Sequence, residues 1–166
     1  MKIFFALLMA AVISGLSGCA LWNDWFDREK PLVITELQRL QACGSQGPVP
    51  RVDYFEDSGS VRAWEHERGV QLTDLDPRIE GPFALVEVGE RGLQGYGVLV
   101  SRDAVIHSDG LLVLRSTFFY AAQIRGRRAE ASPCVLLALP PRHYSAIDLY
   151  DQEGVLQAHT PTRPEK

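Results

Sequence analysis

The stretch FALVEVG at residues 83–89, followed by GYGVLVS at residues 95–101, decides the fold class. Both runs are short, apolar and rich in β-branched residues, which is typical of strands that are largely buried. The residues between them contain Gly92 and three polar side chains, and glycines lie at both ends of the connection. We therefore expect the two runs to pair as a β-hairpin.

Similar runs recur on both sides of this stretch and predict a mainly β domain. Residues 32–40 permit either a strand or a short helix, and their β-branched first half favours a strand. The step Asp109-Gly110 suits a tight turn that joins strands on either side of it into a second hairpin. The spacing is typical of antiparallel β-sandwiches and barrels, so we predict sandwich-like sheets, with a partly closed barrel as the alternative. The further predicted strands cover residues 51–55, 104–107, 111–119, 134–139 and 144–150.

An amphipathic pattern near residues 60–68 predicts one short helix. Ser58 or Ser60 can cap its first turn, and Gly69 can end it. Trp64 lies on the apolar face of this helix, so we expect it to anchor the helix to the core.

The amino terminus has the features of an export signal. Lys2 precedes an uncharged apolar run over residues 3–13, which is too short to cross a bilayer but fits the apolar region of a signal peptide. Residues 16–19 read Leu-Ser-Gly-Cys and resemble the lipobox of bacterial lipoproteins. The resemblance implies that residues 1–18 are a lipoprotein signal peptide and that Cys19 is acylated. The alternative is an ordinary secretory signal with a chance cysteine.

The lipobox resemblance also sets the expected organisation and location of the chain. Residues 19–31 would be a lipidated tether, 32–158 the β domain and 159–166 a disordered tail. The tether contains three aromatic residues that either enter the membrane interface or cap the domain: Trp22, Trp25 and Phe26. No Asp follows Cys19, so the resemblance implies the periplasmic face of the outer membrane rather than retention at the inner membrane.

The other two cysteines, Cys43 and Cys134, remain as a pair once Cys19 is lipidated. In an oxidising periplasm they can form a disulfide. The alternative is two independent buried thiols.

Charge and composition exclude several classes of protein. The 166 residues carry 17 Lys+Arg against 21 Asp+Glu, a net charge of −4, so we do not expect a nucleic-acid partner. The sequence contains neither a nucleophile-elbow motif nor a phosphate-binding loop. We therefore predict a non-enzymatic protein with no catalytic residue, no metal and no cofactor.

Three features together resemble the family of the protease complex subunit PrcB. A strand ends in Gly89-Glu90-Arg91 and leads into Gly95-Tyr96; a late strand reads SPCVLLALP; and a short helix carrying a tryptophan lies upstream. The resemblance covers roughly residues 60–150. It implies a lipoprotein accessory subunit that binds a protein partner and supports a protease complex.

The loop at residues 90–96 is the expected partner-binding site, through Glu90, Arg91, Leu93 and Tyr96. Residues 92–94 read Gly-Leu-Gln where the family has Pro-Thr-Gly, so the middle of the loop departs from the family pattern. Large side chains on a defined loop are suitable anchors for a partner. For Tyr96 the alternative is that it starts the next strand and packs inward.

The loop is also similar to that of chagasin-like cysteine-protease inhibitors, although the Thr of their motif is absent. This similarity leaves a protease inhibitor acting through the 90–96 loop as an alternative function.

Two charged clusters carry further hypotheses. A basic patch of Arg125, Arg127 and Arg128 can meet lipid headgroups, glycan carboxylates or an acidic partner, or it is a solvated turn. An acidic cluster of Asp53, Glu56 and Asp57 is either a solvated turn or a site for a cation or a sugar. This second cluster leaves a glycan-binding module or an envelope enzyme as a further alternative.

Overall fold

The computed structural model describes residues 29–45, 47–72, 80–92, 95–121 and 131–163. Within these residues the chain forms ten strands and one helix. In chain order they are β1 (Lys30–Val33), β2 (Thr35–Leu40), β3 (Arg51–Phe55), α1 (Ser58–Arg68), β4 (Phe83–Glu87), β5 (Tyr96–Val100), β6 (Asp103–Ile106), β7 (Leu111–Tyr120), β8 (Cys134–Ala138), β9 (Ala146–Tyr150) and β10 (Leu156–Pro161).

The strands form two sheets, which confirms the predicted sandwich-like, mainly β fold with one short helix. The large sheet has the order β1-β6-β7-β9-β10, and β5 also pairs with β7. The small sheet has the order β2-β8-β4-β3. All pairs are antiparallel except β7 with β9, which are parallel.

The two sheets are continuous at one edge and open at the other. Only Ile34 separates β1 of the large sheet from β2 of the small sheet, and its N–H donates to the carbonyl of Arg102 at 2.9 Å. At the opposite edge β3 and β10 are neighbours, but their described residues form no backbone ladder. The hydroxyl of Thr160 donates to the carbonyl of Val52 across this gap at 2.6 Å. We call the gap between β3 and β10 the seam.

The predicted hairpin of residues 83–89 with 95–101 is wrong. Strand β4 pairs with β3 and β8 in the small sheet, whereas β5 pairs with β7. All five residues of β4 are buried, because one of its faces packs on the large sheet and the other lies under the helix. A strand buried on both faces is stabilised by a central position, and this outweighs its proximity in sequence to β5.

The apolar side chains form two layers, one on each side of the small sheet. Between the sheets, Ala84 and Val86 pack against residues of the large sheet such as Leu114. On the other side, Leu85 packs under the helix with Trp64. The alternation of side chains along β4 places successive residues in different layers.

Helix α1 confirms most of the predicted helix, including its end at Gly69, which has the left-handed φ of 63°. Trp64 is buried, as expected. The predicted cap is wrong, because Asp57 and neither serine caps the helix. Its carboxylate accepts from the backbone N–H of Ser60 at 2.7 Å.

The second predicted hairpin is present, with β6 and β7 joined through a turn in which Gly110 has φ 90°. The predicted domain limits differ from the observed elements at both ends. Strand β1 begins at Lys30, inside the expected tether, and β10 continues to Pro161, so the first three residues of the expected disordered tail belong to a strand. The described part of the chain has no helix with the length and apolarity needed to cross a bilayer.

Candidate functional site

The structure brings an arginine and two tyrosines together at one end of the large sheet. Tyr96 lies opposite Tyr120 in the β5–β7 register, and their ring centroids are 4.7 Å apart. The guanidinium carbon of Arg91 lies 5.5 Å from the centroid of the Tyr96 ring, within cation–π range. We call Arg91, Tyr96 and Tyr120, together with the exposed Glu90, the Arg–Tyr surface.

Backbone contacts hold this surface in place from the β4 side. Arg91 and Ala131 exchange backbone hydrogen bonds of 2.7 and 2.9 Å, and the Arg91 guanidinium donates to the carbonyl of Val88 at 3.0 Å. Gly89 has φ 86°, and a Cβ there would lie 2.7 Å from the backbone of Pro48. Glycine is therefore needed at this close approach.

Phe119 lies on the opposite face of β7 from Tyr120, because side chains alternate along a strand. Its ring lies over Gly97, where a Cβ would come within 2.3 Å of the ring. Phe119 remains 39% exposed and Tyr120 46% exposed. Large aromatic rings are therefore held at fixed positions while much of their area stays accessible.

The four residues predicted for the partner-binding loop differ in their exposure, and one of them lies outside the described residues. Glu90 is exposed, Arg91 is half-buried, and Tyr96 begins β5 and is half-buried, so it both starts the strand and contributes to the surface. Leu93 lies outside the described residues. Tyr120 was not predicted as a site residue, because only the β5–β7 register places it beside Tyr96.

The basic patch of Arg125, Arg127 and Arg128 lies outside the described residues, as does Cys19. The described residues on either side of that patch are nevertheless informative. Ala121 donates its N–H to the carbonyl of Gly95 at 2.8 Å, and Ala131 pairs with Arg91. The described residues on both sides of the basic patch are therefore hydrogen-bonded to Gly95 and Arg91, which lie near the two ends of the predicted loop.

The predicted disulfide between Cys43 and Cys134 is present, with Cα atoms 6.0 Å apart. Ser132 reinforces it, because its hydroxyl oxygen accepts from the N–H of Cys43 at 2.9 Å and from that of Gly44 at 3.0 Å. The carbonyl of Gly44 in turn accepts from the guanidinium of Arg68 at 2.7 Å. The disulfide thus ties the chain after β2 to β8. It also positions the Gly44 carbonyl, which accepts the hydrogen bond from Arg68 of helix α1.

A buried charged cluster lies next to the disulfide. Glu87 has no exposed surface, and its carboxylate accepts from the Arg51 guanidinium at 2.9 and 3.2 Å and from the Ser45 hydroxyl at 2.7 Å. Burial alone would lower the pKa of Arg51, but the hydrogen bond and charge of Glu87 raise it above its ordinary value. Arg68 approaches the same carboxylate at 3.9 Å.

The predicted acidic cluster does not converge on one point. Asp57 is the helix cap, and hydrogen bonds from the Ser60 N–H and hydroxyl lower its pKa. Glu56 lines a separate depression beside Tyr144. Asp53 points toward the helix, and burial raises its pKa, opposed by the charge of Arg51. Among the described residues no group of His, Cys, Asp and Glu side chains is arranged to hold a metal ion.

Asp53 instead lines a cleft of about 350 Å³ where the seam meets helix α1, which we call the seam cleft. Trp64, Arg68 and Thr160 also line it. The Arg68 guanidinium carbon lies 5.1 Å from the centroid of the Trp64 ring. The Trp64 indole N–H is buried and has no hydrogen bond of good geometry in the described structure, although it is close enough to Asp53 to lower the pKa of that carboxyl slightly.

A larger groove of about 650 Å³ lies on the outer face of the large sheet, between Leu99 and the β9–β10 turn. The Asp151 carboxylate in this groove already accepts from the backbone N–H groups of Glu153 and Val155. This carboxylate supports the turn and is therefore not a free acceptor in the groove.

Comparisons of the chain with protein families, with curated proteins and with solved structures found no match.

Proposed function

We propose that this protein is a non-enzymatic lipoprotein, held by an acylated Cys19 at the periplasmic face of the outer membrane, whose β domain binds a protein partner at the Arg–Tyr surface. The lipobox at residues 16–19 supports the anchor. The arrangement of Arg91, Tyr96 and Tyr120 supports the binding site.

The observation that carries the proposal is the ordered and accessible aromatic–arginine cluster. Tyr and Arg are enriched among the residues that contribute most to protein–protein affinity. The Tyr96 and Tyr120 rings are in contact at an interplanar angle of 38°, and Arg91 is tied to Val88, so little side-chain entropy remains to be lost on binding. Tyr120 provides exposed apolar area, and Glu90, next to Arg91 in the chain, provides an exposed carboxylate.

The strand pairing supports a partner surface at the end of the large sheet opposite the first described strand residue. Lys30 pairs with Ile106, and Ile106 pairs with Leu112, so β1 begins near the start of β7. Tyr120 ends β7 eight residues beyond Leu112, about 26 Å away at ~3.3 Å per residue. In the proposed arrangement the Arg–Tyr surface therefore lies at the other end of the sheet from Lys30.

The resemblance to the PrcB family suggests that the partner is an envelope protease, which this chain would support as an accessory subunit. Glu90, Arg91 and Tyr96 match that family, and Arg91 and Tyr96 are the two residues in cation–π contact. Residues 92–94 depart from the family, so the Tyr120 ring supplied by β7 would carry more of the contact in this chain.

Site-specific photocrosslinking in cells tests the proposal. A benzophenone amino acid replaces Tyr120 in one variant and Arg62, on the exposed side of helix α1, in the control. We expect a discrete protein adduct from position 120 and none from position 62. The adduct is identified, and the affinity of the purified pair is measured for the wild type, for Tyr96→Ala with Tyr120→Ala, and for Leu156→Ala as an exposed control on β10.

The double variant should weaken binding by at least tenfold, since each truncated anchor typically costs more than ~1 kcal/mol, and Leu156→Ala should leave it unchanged. Equal adducts at both positions, or equal affinity in all three proteins, would contradict the binding surface. If the partner is a protease, its activity on a protein substrate separates the two roles: an accessory subunit sustains it, whereas an inhibitor acting through residues 90–96 abolishes it in a dose-dependent way.

A further inference from the structure

The seam cleft has the features of a small-ligand site at a different position from the Arg–Tyr surface. It lies where β3 and β10 are neighbours but form no backbone ladder among the described residues. Its volume of about 350 Å³ falls within the range of ligand pockets in proteins. Helix α1 borders it on the outer side.

A donor without a well-formed hydrogen bond borders this cleft. Trp64 is only 9% exposed, and its indole N–H lies close enough to the Asp53 carboxylate to lower the pKa of that group but makes no hydrogen bond of good geometry. Buried indole N–H groups usually have a partner, because an unsatisfied donor costs free energy. The ring itself is covered, by the Arg68 guanidinium on a face and by Phe55 at an edge with centroids 6.3 Å apart. The N–H, rather than the ring face, is therefore the group that remains for a ligand.

A carboxylate lies beside this donor. About a third of the Asp53 side chain is exposed, and its nearest ion pair, with Arg51, is long at 4.0 Å. Arg51 is instead committed to Glu87 through two short hydrogen bonds. Asp53 is thus a partly desolvated acceptor without a close cationic partner, and burial raises its pKa. A perturbed carboxyl group in a cleft is a common feature of functional sites.

The charges around the cleft select the class of ligand. Asp53 and Glu67 disfavour an anion, while Arg68 disfavours a simple cation and the indole N–H offers nothing to one. A hydroxyl group both donates and accepts, so neighbouring hydroxyls can accept from Trp64 and donate to Asp53. Thr160 and Thr162 add polar lining, although their hydroxyls already donate to Val52 and Tyr144.

We infer that the seam cleft binds a neutral, hydroxyl-rich ligand, namely a saccharide unit, which accepts a hydrogen bond from the Trp64 indole and donates one to the Asp53 carboxylate. Of the three residues in the acidic cluster predicted from the sequence, Asp53, Glu56 and Asp57, only Asp53 belongs to this site. This inference does not rest on the proposed protein-binding function.

Nuclear magnetic resonance of the indole groups tests this inference directly. The chain has three tryptophans, and Trp64→Phe identifies the resonance of Trp64. The full chain, labelled with ¹⁵N at tryptophan in a sugar-free detergent, is titrated with N,N′-diacetylchitobiose, maltose and, as a non-saccharide probe, triglycine. We expect at least one saccharide to shift the Trp64 resonance in a saturable way and triglycine to leave it in place.

Variants distinguish a specific site from a general effect. Asp53→Ala should lower the affinity for the saccharide about tenfold, because a hydrogen bond to a charged group is lost. Asp53→Asn keeps an acceptor oxygen and should have a smaller effect. Glu90→Ala, on the Arg–Tyr surface, is the matched control and should leave the affinity unchanged.

Three results would overturn the inference: no response of the Trp64 resonance to either saccharide, a response to triglycine alone, or an equal affinity in Asp53→Ala and the wild type. Melting temperatures of the variants show whether they remain folded. Since crosslinking at Tyr120 is scored separately, failure here leaves the proposed partner surface untouched.

Discussion

Arg51 and Glu87 form a cross-strand pair in which a carboxylate with no exposed surface accepts two hydrogen bonds from a guanidinium that is one third exposed. The pair bridges β3 and β4 on the face that the helix covers. Removing a buried charge from water is costly, and only a close partner with good geometry compensates for it. The small sheet is therefore destabilised when one member is removed and the other remains.

We expect Arg51→Met to lower the free energy of unfolding by about 3 kcal/mol, because Glu87 keeps only Ser45 and the more distant Arg68. The double variant Arg51→Met with Glu87→Met should recover most of this loss, since no buried carboxylate remains. Urea unfolding of the wild type, both single variants and the double variant measures the coupling. Strictly additive single effects would show that the pair does not act as a unit.

The disulfide between Cys43 and Cys134 closes a loop of 91 residues, so it restricts the unfolded chain strongly. In the chain-entropy model a link of this length contributes about 4–5 kcal/mol. We expect Cys43→Ser with Cys134→Ser to lose about that free energy of unfolding. A reducing agent should destabilise the wild type similarly and leave the double serine variant unchanged. A wild type that is insensitive to full reduction would contradict this role.

Asp57 supplies the cap of helix α1, and its pKa is lowered by the Ser60 hydrogen bonds. The cap therefore stabilises the fold above the ordinary pKa of an aspartate, and this stabilisation is lost as the pH falls through the lowered pKa. Asp57→Ala should lower the melting temperature at pH 7 and reduce the loss on acidification. Asp57→Asn is the matched control, because Asn caps helices as well as Asp does and does not titrate. Identical melting temperatures of all three proteins at pH 7 would exclude a stabilising cap.

Local patterns in the sequence were sufficient for most elements of this fold. The β-branched runs predict the strands, the amphipathic segment with Gly69 predicts the helix and its end, and Asp109-Gly110 predicts the β6–β7 hairpin. The pairing of residues 83–89 was not predictable in the same way. It depends on β8, some fifty residues later, and on burial of both faces of β4, which no local pattern specifies.

The same limit applies to the candidate sites. Tyr96 was identifiable as a large side chain after a glycine-rich loop, but Tyr120 joins it only through the register of β5 and β7. Asp53 was visible as part of an acidic cluster, whereas its neighbour Trp64 was interpreted only as a core anchor. Glu87 is a further signal in the sequence, because it interrupts an apolar run, and a charge inside a buried strand needs a partner of opposite sign.

The raised pKa of Asp53, which lines the seam cleft, predicts that ionisation of this carboxyl group lowers the free energy of unfolding. This effect can be measured without any ligand. Because burial disfavours the ionised carboxylate, the folded state retains its proton to a higher pH than the unfolded state does. The stability associated with this group is then fully present below the ordinary pKa of an aspartate and is lost as the pH rises through the raised value.

Asp53→Asn cannot ionise, so it should match the wild type at pH 3 and exceed it in stability at pH 7. Asp103→Asn removes the same charge from an exposed position on β6 and serves as the control. Urea unfolding at both pH values provides the comparison, and a variant that is less stable than the wild type at pH 7 would show that the ionised carboxylate stabilises the fold. A gain at pH 7 is expected of a polar group retained for binding at a cost in stability, because the desolvation of its ionised form outweighs the favourable charges of Arg51 and Arg68.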